Sequence, residues 1–167
     1  SINSLNQTPI TLNSSGSQQY TIVPSPNVGL NSYDVIKVSD GNGCENLPIN
    51  TNVTILVNPT PNINITVSGP NPICEGESSE LFFPVLSGTP PFSVDFLANG
   101  VSNTANIDAT GNLTSGGAMI ISPNNNTDYT LTKVTDSKGC SNILSNSATL
   151  TVNEVPDVIV SGDTEIC

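Results

Sequence analysis

Apolar residues in this chain come as singles, Val, Ile and Leu flanked by Thr and other polar residues, and not as long runs. No segment carries an apolar stripe of helical period. Short segments of this kind alternate with turn signals at the spacing of an all-β protein. The pattern predicts strands over 63–68, 80–86, 93–97, 118–122, 129–135 and 148–153, with a weaker one over 105–108. Pro and Gly each number 13, and helix should be close to absent.

The segment 33–46, YDVIKVSDGNGCEN, lies over 129–142, YTLTKVTDSKGCSN, with seven of fourteen positions identical. The match continues as Val57-Asn58 over Val152-Asn153, Pro61 over Pro156, Ser68-Gly69 over Ser161-Gly162 and Ile73-Cys74 over Ile166-Cys167. Its offset falls from 96 to 95 to 93, as small deletions in loops would cause. A period near 93 residues is one β-sandwich domain, too long for a solenoid or propeller-blade repeat. The expected fold is therefore all-β, in tandem immunoglobulin-like sandwich repeats. Residues 1–60 should be the C-terminal part of one repeat, 61–155 a complete one, and 156–167 the first strand of the next. A half-sandwich leaves an apolar face uncovered, which predicts missing strands supplied on either side.

Asp40 and Asp136 each stand three residues before a glycine, Gly43 and Gly139. That spacing suits a type I turn with a glycine bulge closing a hairpin. The strands over 129–135 and 148–153 are then the last two of the domain. Tyr33 and Tyr129 begin the penultimate strand, where sandwiches often tie a tyrosine hydroxyl to nearby backbone. Thr89-Pro90-Pro91 reads as a rigid corner between two core strands, with room for a cis bond.

Charge narrows the partners. Three lysines (Lys37, Lys133, Lys138) face fourteen carboxylates, with no Arg, His or Trp, for a formal net charge of −11. Phosphate recognition leans on Arg and Lys, so nucleic acid and anionic membranes would be repelled. No stretch approaches the roughly 18 apolar residues of a membrane span, so no membrane insertion is expected. The opening Ser1 to Gln7 is polar and uncharged, which predicts a window beginning after any targeting segment. Only 10% of residues are charged while Asn, Ser and Thr abound, a composition suited to an extracellular β-protein.

Four cysteines in such a chain point to disulfides before metal or catalysis. Cys74 and Cys167 precede second strands, and Cys44 and Cys140 sit in last hairpins. Pairing Cys74 with Cys140 inside the complete unit is the simple choice. The alternative links Cys74 to the hairpin cysteine of the next repeat, because in an immunoglobulin topology the first-strand loop and the last hairpin lie at opposite ends. Cys44 and Cys167 are paired outside the window either way. Zinc is disfavoured, as no Cys-x-x-Cys or His accompanies them. Asp40-Gly41-Asn42-Gly43 faintly resembles part of a calcium loop, but the other repeat has Lys138 where Asn42 stands. Glu75, Glu77 and Glu80 form an acidic cluster that reads as a solvated turn, leaving at most a surface calcium site and no cofactor.

Catalysis has no foothold: there is no His to titrate near neutral pH and no nucleophile elbow or phosphate loop. Six Asn-x-Ser/Thr sequons are no more than the Asn, Ser and Thr content produces by chance. Phe82, Phe83, Phe92, Phe96 and the three tyrosines are expected in cores, which leaves little platform for sugar binding.

The run Ser68-Gly69, Ile73-Cys74-Glu75-Gly76-Glu77-Ser78, Gly88-Thr89-Pro90-Pro91-Phe92, then 129–136, Gly139-Cys140 and 148–152 resembles the PKD-like, immunoglobulin-like repeats of giant Bacteroidota cell-surface adhesins. Gliding-motility adhesins of the SprB type, exported by type IX secretion, are the best-known members. Phe92 stands where that family usually places Trp after the proline pair. The resemblance implies an extracellular, cell-surface stalk with no enzymatic role. Its partners would be neighbouring repeats, a surface glycan or protein ligand, or secretion and motility machinery. The alternative is a spacer or carbohydrate-binding module of a secreted multidomain hydrolase.

Overall fold

The computed structural model describes residue 11 and residues 27–46 and 51–162. The chain divides into two compact units, Ser1–Pro59 and Thr60–Cys167.

In the first unit β1 (Gly29–Val35) pairs antiparallel with β4 (Thr51–Val57), and β2 (Val38–Ser39) with β3 (Glu45–Asn46). Asn31 is buried, and its amide donates to the carbonyls of Asn27 (2.7 Å) and Gly29 (2.9 Å), tying down the start of the hairpin. Lys37 and Glu45 form an ion pair between exposed side chains.

The second unit contains β5 (Asn62–Ile63), β6 (Thr66–Val67), β7 (Ile73–Cys74), β8 (Ser79–Phe82), β9 (Val85–Ser87), β10 (Phe92–Ala98), β11 (Val101–Ile107), β12 (Met119–Ile121), β13 (Thr127–Asp136), β14 (Ser141–Ile143), β15 (Ser147–Leu150) and β16 (Val152–Asn153). One sheet runs β11-β10-β13-β14, with β15 also on β13, and the facing layer is built on β12-β8-β6. No described residue is helical. The fold is an all-β, immunoglobulin-like sandwich.

Aligned residues of the two units pair alike. Tyr33 stands opposite Val53, and Tyr129 opposite Ala148, the positions the repeat superposes.

Three expected strands are each two. The segment 80–86 breaks at Phe83-Pro84: β8 pairs with β6 and β12, whereas β9 pairs with β5. Pro84 has no N–H for a ladder, and its carbonyl accepts from Asn64 N at 2.9 Å. The segment 63–68 breaks between β5 and β6, and 148–153 breaks at Thr151, where the chain leaves β13 to pair β16 in parallel with β7. Each break lets one stretch of chain serve two sheets.

The segment 105–108, expected as a weak strand, belongs to the seven-residue β11, paired with β10 along its whole length. Its sequence, VSNTANI, is poor in large β-formers, so propensity understates it. What sets it is the Asn99-Gly100 turn, with φ of 46° and 84°, the left-handed pair a two-residue hairpin needs. The Asn99 side chain locks the turn to β13, accepting from Asp128 N (2.9 Å) and donating to Asn126 O (2.9 Å). Asn99→Ala should lower stability by about 1.5 kcal/mol in urea unfolding, and Asn99→Gly by less, since it keeps the left-handed turn.

The core lies between the layers. Phe92, Val94, Phe96, Ala105, Ile107, Tyr129, Leu131, Val134 and Leu150 from the larger sheet meet Ile63, Ile65, Ile73, Leu81, Phe83 and Ile121. Along β13 the buried positions are 127, 129 and 131, then 134 and 136. Strict alternation would send Val134 to solvent. A bulge restores it: Asp95 pairs with Lys133 and Phe96 with Leu131, so Thr132 is the extra residue, its hydroxyl donating to Asp95 O at 3.0 Å.

Tyr129 packs its ring on Phe96, centroids 6.4 Å apart and planes at 49°. Among the described residues its hydroxyl makes no hydrogen bond, so the expected tie to backbone is not formed. Burial pushes the phenol above its ordinary pKa. Tyr129→Phe should therefore leave stability within about 0.5 kcal/mol of the parent by thermal unfolding.

Candidate functional site

The sandwich has two poles, and the sequence-singled residues divide between them. At the first pole β13 ends at Asp136, and the hairpin to β14 turns through Ser137, Lys138 and Gly139. The Gly139 N–H donates to Asp136 O at 3.0 Å, with Gly139 at φ 79°, a left-handed value that favours glycine. One carboxylate oxygen of Asp136 accepts from the backbone N–H of Lys138 and of Cys140, both at 2.9 Å. The other accepts from Thr89 N at 3.1 Å. Asp136 is only 5% exposed, so a single buried carboxylate holds both the hairpin and the Thr89-Pro90-Pro91 corner, whose Pro90-Pro91 bond is cis.

Asp40 builds the same turn in the first unit. Its carboxylate accepts from Asn42 N and Cys44 N at 2.9 Å, and Gly43 N donates to Asp40 O at 3.2 Å. Asp40 is exposed and has no third partner among the described residues. In both turns one aspartate oxygen accepts from two backbone N–H groups, and among the described residues only in Asp136 is the second oxygen engaged as well.

The chain arrives at this same pole. Asn142, in β14, donates from its side-chain amide to Pro61 O at 3.1 Å, and Ser87 Oγ donates to Thr60 O at 2.7 Å. It leaves at the opposite pole. There Asn153 pairs with Cys74 across the parallel β7–β16 ladder, and Asn71 binds Thr149 O (2.8 Å) and Thr151 N (3.0 Å).

Cys74 and Cys140 are both free, so the bridge expected inside the complete unit is not formed. The reason is position. Cys74 lies beyond the Thr127 end of β13 and Cys140 beyond the Asp136 end, and ten extended residues span about 30 Å. A disulfide needs Cα atoms within about 7 Å. Cys44 is exposed and free, and Cys167 lies outside the described residues.

The glutamates do not converge. The carboxylate of Glu77 accepts from Cys74 N at 2.9 Å and closes the turn after β7, while Glu80 sits in β8 opposite Ile120. Among the described residues no group of three His, Cys, Asp or Glu could hold a metal ion. Asp108 is held below the ordinary carboxylate pKa, first by the Thr110 hydroxyl (2.7 Å) and then by the Thr110 N–H (2.8 Å).

Two shallow depressions of about 450 and 420 Å³ mark the surface. The first includes Asp136, whose carboxylate is already engaged, and the second includes Tyr129 as its one titratable side chain. Neither sets an acid against a base. Phe83, Phe92, Phe96 and Tyr129 are buried, and Phe82 and Tyr33 are half-buried. No helix among the described residues is long and apolar enough to cross a membrane.

Sequence reasoning passed over two features of this pole-to-pole arrangement. One is β7, two residues long and too short for any periodicity to reveal. The other is the Asp136–Thr89 bond, which joins residues 47 positions apart. The Asn99-Gly100 dipeptide is a local hairpin signal that sequence reasoning also left unused.

No protein-family model matches this chain, and no curated protein does. Among solved structures it is similar to the crystal structure of the CARDB domain of the PF1109 protein from Pyrococcus furiosus, in complex with di-metal ions. The two are 19% identical, with 59% of this chain and 96% of that one covered and a TM-score of 0.34.

Proposed function

We propose that this chain is a structural and adhesive stalk segment of a large extracellular cell-surface repeat protein, with no catalytic role. The observation that carries the reading is the internal repeat. Two segments about 95 residues apart share sequence, the same Asp-to-Gly turn and the same strand register. Chain arrival and departure at opposite poles of the complete sandwich suit an extended array. A surface with few cations and buried aromatics suits a filament that stays soluble and offers little stacking platform for sugars.

Single-molecule stretching of the full-length polypeptide, with its thiols reduced, tests this. Each repeat should yield separately and release about 30 nm of chain, the extended length of some 92 residues less the folded span. Extension without repeat-by-repeat steps would overturn the reading.

A further inference from the structure

We propose that successive sandwiches of the array are joined to one another by disulfides, from the first-strand cysteine of one repeat, Cys74 here, to the hairpin cysteine of the repeat that follows, the position Cys140 holds in this one. The inference rests on the stalk reading above and adds the chemistry of its joints.

The geometry comes from the two poles. Cys74 is on the pole where the chain departs, lateral to Asn153 across a parallel pair, and adjacent strands lie about 5 Å apart. Cys140 is on the pole where the chain arrives, two residues from Asn142, whose amide binds Pro61 O at 3.1 Å. Pro156 superposes on Pro61 in the repeat, so a following sandwich begins at Pro156 with its own hairpin cysteine beside it. From Asn153 to Pro156 the chain advances three residues, at most about 11 Å. That tether is short enough for rotation about the joint to bring the two cysteines to the Cα separation of about 4.4–6.8 Å that a disulfide requires.

Both thiols are available for it. Ile73 faces the core, so the alternation of β7 turns Cys74 outward, and Cys74 is exposed. Cys140 is half-exposed, its N–H held by Asp136 so that the hairpin presents it in one place. Both positions recur in the sequence, Cys44 over Cys140 and Cys167 over Cys74. Under this pairing no two of the four cysteines in these 167 residues bond to each other.

Bond formation removes two electrons and two protons from the thiol pair. A disulfide-donating oxidoreductase accepts them: one S–S bond forms in the array as the donor's disulfide is reduced to a dithiol. In a stalk such a bond stops the three-residue joint from hinging freely.

The test is a disulfide map of the full-length polypeptide, purified without reductant, alkylated at free thiols and digested with pepsin. The expected product is a peptide around Cys74 joined to a hairpin peptide of the next repeat and separating on reduction. A Cys74–Cys140 peptide, an alkylated Cys74, or Cys74 carrying a small thiol overturns the proposal. Cys74→Ser adds a control: the melting temperature of its own sandwich should not change, and one new alkylated thiol should appear on the next repeat's hairpin. A new thiol at Cys140 instead is the result of a bridge within the unit. Stretching separates this proposal from the stalk reading. Disulfides between repeats shorten the chain released per step until reductant is added, whereas free thiols leave the steps identical in both conditions and the stalk reading intact.

Discussion

Truncating Phe96 to alanine should destabilise the second unit by about 4 kcal/mol in guanidinium unfolding, the upper range for a fully buried aromatic. Phe96 is 2% exposed and sits between Phe83, centroid distance 5.9 Å, and Tyr129, 6.4 Å, so it contacts both layers at once. The cavity it leaves has rigid walls. Val94 and Leu131 beside it are at 0% exposure, and the β13 bulge fixes how the strands can shift. A domain of this size has about 5–15 kcal/mol in total, so this one change removes a large share of it. Ile143→Ala is the matched control. That side chain is 86% exposed, and its loss should stay within about 0.5 kcal/mol. A Phe96→Ala loss under about 1.5 kcal/mol would mean the two layers are not packed through this ring.

Asp136→Ala should cost about 3 kcal/mol in the same measurement. The substitution strands three backbone N–H groups, those of Thr89, Lys138 and Cys140, in a place where water reaches poorly. Asp136→Asn divides the effect. One amide oxygen can keep the Lys138 and Cys140 bonds, but the amide nitrogen then faces the Thr89 N–H, donor against donor. A loss near half that of the alanine variant is expected. Equal losses for the two variants would show that the hairpin bonds, and not the tie to Thr89, are unimportant to the fold. Asp40, with the same two turn bonds and an exposed carboxylate, marks what the third bond and burial add in the complete sandwich.

Much of the local structure was legible because it is locally caused. Asp136 and Gly139 are three residues apart, and the turn they form needs only an acceptor at one end and a left-handed φ at the other. Phe92, Val94 and Phe96 alternate because a strand alternates. The breaks were not legible. Nothing near Thr151 says that β15 and β16 belong to different sheets; that follows from where β7 runs, some 78 residues earlier. The bulge at Thr132 is also invisible in Tyr-Thr-Leu-Thr-Lys-Val-Thr, since either phase of that alternation looks reasonable until β10 is laid beside it. β11 was undervalued because small polar residues say little and because the Asn99-Gly100 pair that forms its hairpin was left unused.

The candidate site divides in the same way. Cys74 and Cys140 stand out in the sequence as an obvious pair, and residue spacing alone favours joining them within one domain. Their separation is a property of β13, which carries one end of the sandwich to the other in ten residues. In the first unit the hairpin that matches β13 and β15 has the same register, yet Val35 is 46% exposed where its counterpart Leu131 is 0%. Burial belongs to the opposing layer, and no residue carries it alone.

By itself, then, the chain's pattern determined that it would be strand, where it would turn, and that one segment would repeat another, since those depend on neighbours within a few residues and on self-similarity. Only the tertiary structure decided which strand changes sheet, which phase of an alternation faces inward, and at which poles Cys74 and Cys140 stand. Those outcomes are set by contacts between segments tens of residues apart, where packing two layers without voids or unpaired N–H groups outweighs any local preference.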